Sequence, residues 1–227
     1  MPQLFYVDAV PEISGALIES NAHHANVVRL NSGEEILVSD GVGNWARCRI
    51  DSIGKKEVSF SVQERGFEEE SKYEVSVLQA LPKSDRAKET IELLTEAGVK
   101  KIYPWQSERS IGKSSERWGA YALEAGKQSR RFWAPQLSNT LTTEEAKVVS
   151  RDYDQVLVCH ESASRRMVEV VRKVTRTLIV IGPEGGLTAE EAEGFEGEIV
   201  KMGRPILRTA HAGIAAISAV SALMDVW

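Results

Sequence analysis

Cysteine is almost absent: Cys48 and Cys159 are the only two in 227 residues. Two cysteines so far apart make neither a disulfide framework nor a zinc quartet, and they point to a reducing, cytoplasmic setting. The four histidines show no metal-ligand spacing, so no metal is expected. A long apolar run is also missing. The longest stretch without Asp, Glu, Lys or Arg covers residues 209–224, is rich in Ala and Ser, and is too short and too polar to cross a bilayer. The opening Met-Pro-Gln-Leu-Phe-Tyr-Val-Asp lacks a basic segment and meets an acid at Asp8, against a secretory signal. No internal repeat or low-complexity tract is present. An excess of positive charge is lacking too: 28 Lys and Arg face 33 Asp and Glu, and a net −5 by itself does not point to a nucleic-acid binder.

What is present is an ordinary globular composition, 42% hydrophobic and 27% charged, long enough for one large domain or two small ones. The charge is unevenly spread. Residues 1–76 carry 7 basic and 13 acidic side chains, whereas residues 100–131 carry 8 basic and 3 acidic. A basic stripe within an acidic chain fits a selective polyanion contact; it also fits a solvated face.

The first part reads as β. Residues 3–10 and 34–40 are strand-like, and residues 56–63 and 45–50 alternate apolar and polar positions with period two. Asp40-Gly41 and Gly43-Asn44 supply turn chemistry between them. Gly41-Val-Gly-Asn-Trp-Ala46 also fits a dinucleotide fingerprint, which would make a dehydrogenase. That fingerprint must open a helix; here a strand-like alternation follows, which favours a hairpin. Several short strands with turns predict a small barrel over residues 1–72.

From about residue 73 the rhythm changes to alternating β and α. Residues 75–81, 101–105, 155–160, 177–181 and 198–202 read as buried strands. Residues 85–97, 114–131, 143–151 and 210–226 read as helices. The pattern predicts an α/β domain over residues 73–227, with a mostly parallel sheet and helices on both faces. The boundary is placed near the acidic residues 68–74.

Two segments carry the chemistry. Thr177-Leu-Ile-Val-Ile-Gly-Pro-Glu-Gly-Gly186 is a buried strand ending in a Gly-rich turn, and Thr188 with Glu191 has capping-box spacing. Such a turn lets backbone amides approach a ligand; the lack of a following Lys-Ser/Thr disfavours triphosphates. The tight turn alone is the simpler alternative. Met202-Gly-Arg-Pro-Ile-Leu-Arg-Thr209 is a second loop after a strand. Two neighbouring loops at the carboxyl ends of parallel strands form the usual ligand crevice of an open α/β sheet.

Ile181-Gly-Pro-Glu-Gly-Gly-Leu-Thr paired with Gly203-Arg-Pro-Ile-Leu-Arg-Thr resembles the signature of the RsmE-type ribosomal RNA uridine N3-methyltransferases of the SPOUT class. Glu96-Ala-Gly-Val, Ser107-Glu-Arg-Ser and Glu124-Ala-Gly-Lys-Gln-Ser-Arg-Arg131 are similar to further segments of that family, and the β-rich start resembles its PUA-like domain. The resemblance covers nearly the whole chain. Three departures stand out. Gly203-Arg204-Pro205 inverts the family's Gly-Pro-Arg; Thr209-Ala210-His211-Ala212 lacks an acid; and Glu92-Leu93 replaces Gln-Lys.

The resemblance implies a trefoil-knotted, mostly parallel sheet, a homodimer, and S-adenosylmethionine (SAM) as methyl donor to N3 of a uridine in 16S ribosomal RNA of the small ribosomal subunit. Three loops would hold the cofactor: Val158, Cys159 and His160; Ile181, Gly182, Pro183, Glu184, Gly185 and Gly186; Met202, Gly203, Ile206, Leu207, Arg208 and Thr209. Arg208 is the candidate catalytic residue, since a fixed guanidinium near the uracil carbonyls favours the N3 anion; a helix-terminus salt bridge is its structural alternative. Glu184 is the second catalytic candidate, as a base, as an attraction for the sulfonium, or as a partner for backbone amides. Arg109, Lys113, Lys127, Gln128, Arg130 and Arg131 are the candidate RNA contacts. Trp105, Trp118 and Trp133 are read as core rather than base-stacking residues. Cys159 beside His160 is read as a buried strand-end thiol, not a nucleophile–base pair. The Ser-Glu-Arg and Gln-Ser-Arg segments favour the ribosomal type over a transfer-RNA ribose methylase; a non-catalytic RNA-binding protein with the same fold is the other rival. The final helix, with Ala212, Gly213, Ala215, Ala216, Ser218 and Ala219 among larger apolar residues, is the expected dimer surface.

Overall fold

The computed structural model describes residues 2–226. It separates into two compact units. One runs up to Glu70 and takes in Gly126–Ala134; the other comprises Ser71–Ala125 and the chain from Pro135 onward.

The first unit is a five-stranded sheet in the order β1-β3-β4-β5-β2. Its elements are β1 (Gln3–Tyr6), β2 (Ser14–Ile18), α1 (Glu19–Val27), β3 (Glu35–Ser39), β4 (Asn44–Ile53) and β5 (Glu57–Phe67). Only the β1–β3 pair is parallel. The sheet order ends at β1 and β2, so the expected small barrel is a rolled sheet whose ladder is not closed. The period-two alternation is realised: Ala46, Cys48 and Ile50 are buried while Arg47 and Arg49 face out. These residues join Phe5, Leu17, Ile36, Val58 and Phe60, with Ala22 and Ala25 of α1, in one core. Gly41 and Gly43 lie at φ +75° and +96° in the β3–β4 hairpin, the conformation that favours glycine. A Cβ at Gly43 would sit 2.7 Å from the Phe67 ring. This is a strand–turn–strand, not a strand–turn–helix, and the dinucleotide reading falls with it.

The segment Gly126–Ala134 corrects the reading of residues 73–227 as one continuous domain. The Gly43 N–H donates to the Phe132 carbonyl at 3.0 Å, the Phe132 ring stacks on Trp45 at 5.3 Å, and the Trp133 Nε1 donates to the Glu68 carbonyl at 2.8 Å. The Tyr6 hydroxyl donates to the Arg131 carbonyl at 2.7 Å.

The second unit is a parallel sheet of seven strands in the order β10-β12-β9-β11-β6-β7-β8. In chain order it contains β6 (Glu74–Ala80), α2 (Ala87–Glu96), β7 (Lys101–Trp105), α3 (Trp118–Gln128), β8 (Gln136–Leu137), α4 (Thr143–Ser150), β9 (Gln155–Cys159), β10 (Arg165–Arg166), β11 (Arg176–Ile181), α5 (Ala189–Gly194), β12 (Glu198–Lys201) and α6 (Thr209–Met224). The last residues of α3 belong to the first unit. The helix is shorter than the 114–131 expected from sequence.

Both faces of this sheet are covered. Val75, Val77, Leu157, Ile179 and Ile181 pack with α2, α3 and α6 residues such as Ile91, Leu94, Trp118, Ile217 and Val220. Leu78, Ala80, Val158, Leu178 and Val180 pack the other way, with Ala146 of α4 and Ala192 of α5. Alternate strand residues thus serve two apolar layers, which is why these strands read as unbroken hydrophobic runs. Trp105 and Trp118 are buried core residues, as expected; Trp133 is half-buried. Thr142 caps α4 and Thr188 caps α5 with full capping boxes.

Candidate functional site

β9, β11 and β12 are neighbours at the centre of the parallel sheet, and their carboxyl ends lie side by side. The register pairs Ile181 with Cys159, and Val200 with Cys159. The loops that follow therefore emerge together. Between them lies a cleft with two chambers. The inner one, about 120 Å³, is lined by Cys159, His160, Ile181, Gly182, Pro183, Gly186, Met202, Gly203, Ile206, Leu207 and Thr209. The outer one, about 450 Å³, is lined by Lys83, Arg86, Glu89, Glu184, Arg208 and His211. Glu161, Pro183, Gly186, Ile206, Leu207 and Thr209 border both.

The loop 182–186 is locked from several sides. The Gly186 N–H donates to the Pro183 carbonyl at 2.9 Å, and Pro183 and Leu187 are buried. The Lys83 backbone N–H donates to a Glu184 carboxylate oxygen at 3.2 Å, and the Arg109 guanidinium donates to the Gly185 carbonyl at 3.2 Å. Glu191, buried in the first turn of α5, accepts from the Glu108 N–H at 2.8 Å and from the Thr188 N–H at 3.1 Å. Gly186 has φ +73°, and the space where its Cβ would stand is empty to 4 Å. An open approach to bare backbone of this kind suits a ligand read through main-chain groups.

Eleven of the residues proposed for a cofactor line the inner chamber together. Four proposed positions fall elsewhere. Val158 is fully buried in the core on the opposite face of the sheet and does not reach the cleft. Its strand neighbour Cys159 does, because side chains alternate along β9. Gly185 lines neither chamber; its flank rests on Arg109, 3.2 Å from where a Cβ would be. Glu184 and Arg208 belong to the outer chamber alone.

Arg208 is the N-cap residue of α6 and is exposed, and its side chain makes no capping bond. Its guanidinium takes part in no hydrogen bond or ion pair among the described residues, so the helix-terminus salt bridge is not formed. Glu184, by contrast, already serves as a backbone-amide partner, through Lys83. Burial pushes the Cys159 thiol up to about 12, so it stays protonated at neutral pH. The His160 Nδ1 accepts the Ser162 N–H at 3.2 Å and lies 2.9 Å from its hydroxyl. The imidazole is thus engaged with its own loop, and no nucleophile–base pair exists here.

The candidate RNA contacts divide between the units. Arg109 and Lys113 are exposed on the second. Lys127, Gln128, Arg130 and Arg131 belong to the first, so the stripe read as one feature of residues 73–227 is two. Arg131 is half-buried, and desolvation holds its guanidinium below the usual range, against the pull of Tyr6 and Glu68. Sequence reasoning missed Lys83, Arg86, Glu161 and His211 as cleft residues. Lys83 and Arg86 follow β6, so the crevice rule applied to one more strand end would have found them.

No helix among the described residues is long and apolar enough to cross a membrane. Residues 69–221 match the RNA methyltransferase domain family, and residues 17–63 the RNA methyltransferase PUA domain family. A ribosomal RNA small subunit methyltransferase E from Mycobacterium bovis is 34% identical, over 99% of this chain and 93% of its own. The protein of the same name from Bacillus subtilis is 33% identical over 88% and 86%. The crystal structure of a ribosomal RNA small subunit methyltransferase E from Neisseria gonorrhoeae, bound to S-adenosyl methionine, superposes with a TM-score of 0.90 at 25% identity, over 98% of both chains. With a PUA-like sheet, a parallel α/β unit and a loop-built cleft at the sheet's carboxyl edge, the chain belongs to the RNA methyltransferase family that includes these ribosomal RNA small subunit methyltransferases E.

Proposed function

We propose that this protein methylates N3 of a uridine in 16S ribosomal RNA, with SAM as donor. The observation that carries the chemistry is Arg208: an exposed guanidinium without an internal partner, at the chamber that opens directly onto the glycine-backed loops. The residues present fit the cofactor. Gly182, Gly186 and Gly203 keep side chains out of the cleft, and Ile181, Met202 and Leu207 offer apolar surface for an adenine. Bound there, SAM would supply an electrophilic methyl group on a sulfonium.

The chain's own task is to make uracil N3 a nucleophile. That nitrogen holds a proton whose pKa lies well above neutral. As the proton leaves, negative charge spreads onto the flanking carbonyl oxygens. The Arg208 guanidinium, presenting fixed N–H donors to those oxygens, lowers the cost of the anion. A carboxylate in the same chamber is suited to accept the proton, and Glu184 and Glu161 are the two at the shared border or beside it. Arg109 and Arg131 are proposed as phosphate contacts outside the cleft, and the PUA-like unit as a further RNA-binding surface.

A homodimer and a cytoplasmic site of action belong to the same reading. α6 carries no Asp, Glu, Lys or Arg; its inner face is buried against β6, β11 and α2, while Ala215, Ser218, Ala219, Ala222 and Leu223 keep an uncharged, small-residue surface at least partly open. Light scattering at micromolar concentration should give twice the chain mass; a stable monomer would remove the dimer.

The function is tested by mass-spectrometric mapping of 16S ribosomal RNA after incubation with the protein and SAM. The expected product is one uridine heavier by a methyl group on N3. Methylation on a ribose or on another base would refute the assignment.

A further inference from the structure

The outer chamber holds a set of cations that the proposed chemistry does not use. Lys83 and Arg86 stand on the connection between β6 and α2, and they line the same chamber as Arg208 and His211. Lys83 is exposed, and its ammonium enters no ion pair among the described residues. Arg86 has two acidic neighbours: its Nη1 donates to Glu89 at 3.2 Å, and its Nε lies 3.8 Å from Asp85. The Arg86 Nη2 has no partner among the described residues. Glu89 in turn is shared with the His211 Nε2 at 3.5 Å, and these two neighbours hold its carboxyl below the usual range. These contacts orient Arg86 and leave its Nη2 edge open.

A guanidinium with free donors beside an unpaired ammonium matches a phosphate diester. Position decides which diester. The chamber shares its border residues with the inner, glycine-lined one, so whatever fills it lies next to the methyl donor. Its size, about 450 Å³, suits one nucleotide and not a helical segment of RNA.

Resting on the function proposed above, the geometry points to the outer chamber as the seat of the acceptor nucleotide, with Lys83 and Arg86 gripping the phosphate that flanks the reacting uridine. They are anchoring residues: they place the uracil against Arg208 and take no part in the proton transfer. The target base would be drawn out of its RNA surroundings into the chamber, as base-modifying enzymes require, and the anchor supplies part of the cost of unstacking.

The alternative claimant for these cations is the carboxylate of the cofactor's own amino-acid end, and the test separates the two. Lys83→Ala and Arg86→Ala are compared with wild type by calorimetry with SAM, by steady-state methylation of 16S ribosomal RNA, and by RNA binding from low to high salt. The expected result is SAM affinity within twofold of wild type, KM for RNA raised roughly tenfold or more, and a salt slope shallower by about one ionic contact per substitution. Lys83→Arg should restore most of the RNA affinity. A tenfold loss of SAM affinity with unchanged RNA binding would assign the cations to the cofactor and overturn the inference. So would variants indistinguishable from wild type, which leave the methyltransferase reading intact. A wild-type protein that binds ribosomal RNA and SAM but transfers no methyl group would overturn both.

Discussion

The two loops that form the cleft are built in opposite ways. Loop 182–186 is tied down at nearly every residue: a turn closed by Gly186 and Pro183, a carboxylate bound by the Lys83 amide, a carbonyl bound by Arg109, and behind it the buried Glu191 joining the α5 cap to Glu108. In the loop 203–208 every residue is exposed, and among the described residues its hydrogen bonds are those the Arg208 carbonyl accepts from the start of α6. One wall is a preformed cradle. The other has few internal bonds, and fixing such a segment costs about 1–2 kcal/mol per residue.

The sharpest way to break the comparison is at the end of the loose wall. Arg208→Ala should lower the methylation rate by about 2–4 kcal/mol of transition-state stabilisation, with RNA affinity little changed. The deficit should shrink as pH rises, because more uridine is then ionised without help. A pH-independent deficit would show that Arg208 acts on something other than the anion. Next, the rigid wall: Glu191→Ala removes a cap and leaves the Glu108 N–H without its acceptor. Thermal unfolding should report a loss of about 1–3 kcal/mol. If stability is unchanged, the cradle is not held from behind as described. Gly186→Trp should cost about 1–2 kcal/mol for a side chain in the left-handed region, and calorimetry should find SAM binding gone because the open approach is filled. The smallest effect belongs to the loose wall again. Arg204→Ala should leave stability within about 0.5 kcal/mol, and amide exchange across 203–208 should be fast in the free protein and slowed by SAM. Protection without cofactor would erase the contrast between the walls.

How much of this was legible depended on whether a residue's environment is set nearby in the chain. Residues 101–105 match β7, because a strand buried on both faces announces itself as an apolar run between a helix-ending Gly98 and polar residues. Residues 177–186 were legible for the same reason. α1 was not: in Glu-Ser-Asn-Ala-His-His-Ala-Asn-Val its buried residues are Ala22 and Ala25 alone, too small to make an apolar stripe. The end of α3 was misplaced because Arg130, not glycine, takes the left-handed position at φ +54°. At the site, the loops were readable from their glycines. Which of their side chains reach the cleft was not, since Val158 and Cys159 part company only through the pleat. Lys83 and Arg86 were hidden because the loop that shares their chamber is more than a hundred residues downstream.

The segment Gly126–Ala134 has a consequence for the order of events during synthesis. The first unit's sheet is complete once Phe67 has been made, but its fold is not. Trp45 lacks its stacking partner, the Gly43 N–H its acceptor, and the Glu68 carbonyl its donor until Phe132 and Trp133 follow. At about 5–20 residues per second the gap amounts to several seconds. Through that interval the nascent chain carries an unfinished aromatic surface, while α2 and β7 are being added behind it. The amino-terminal unit therefore begins to fold first but can be completed only after α2, β7 and α3 of the second unit have been made. A fragment ended at residue 72 should bind an apolar dye that the whole chain excludes.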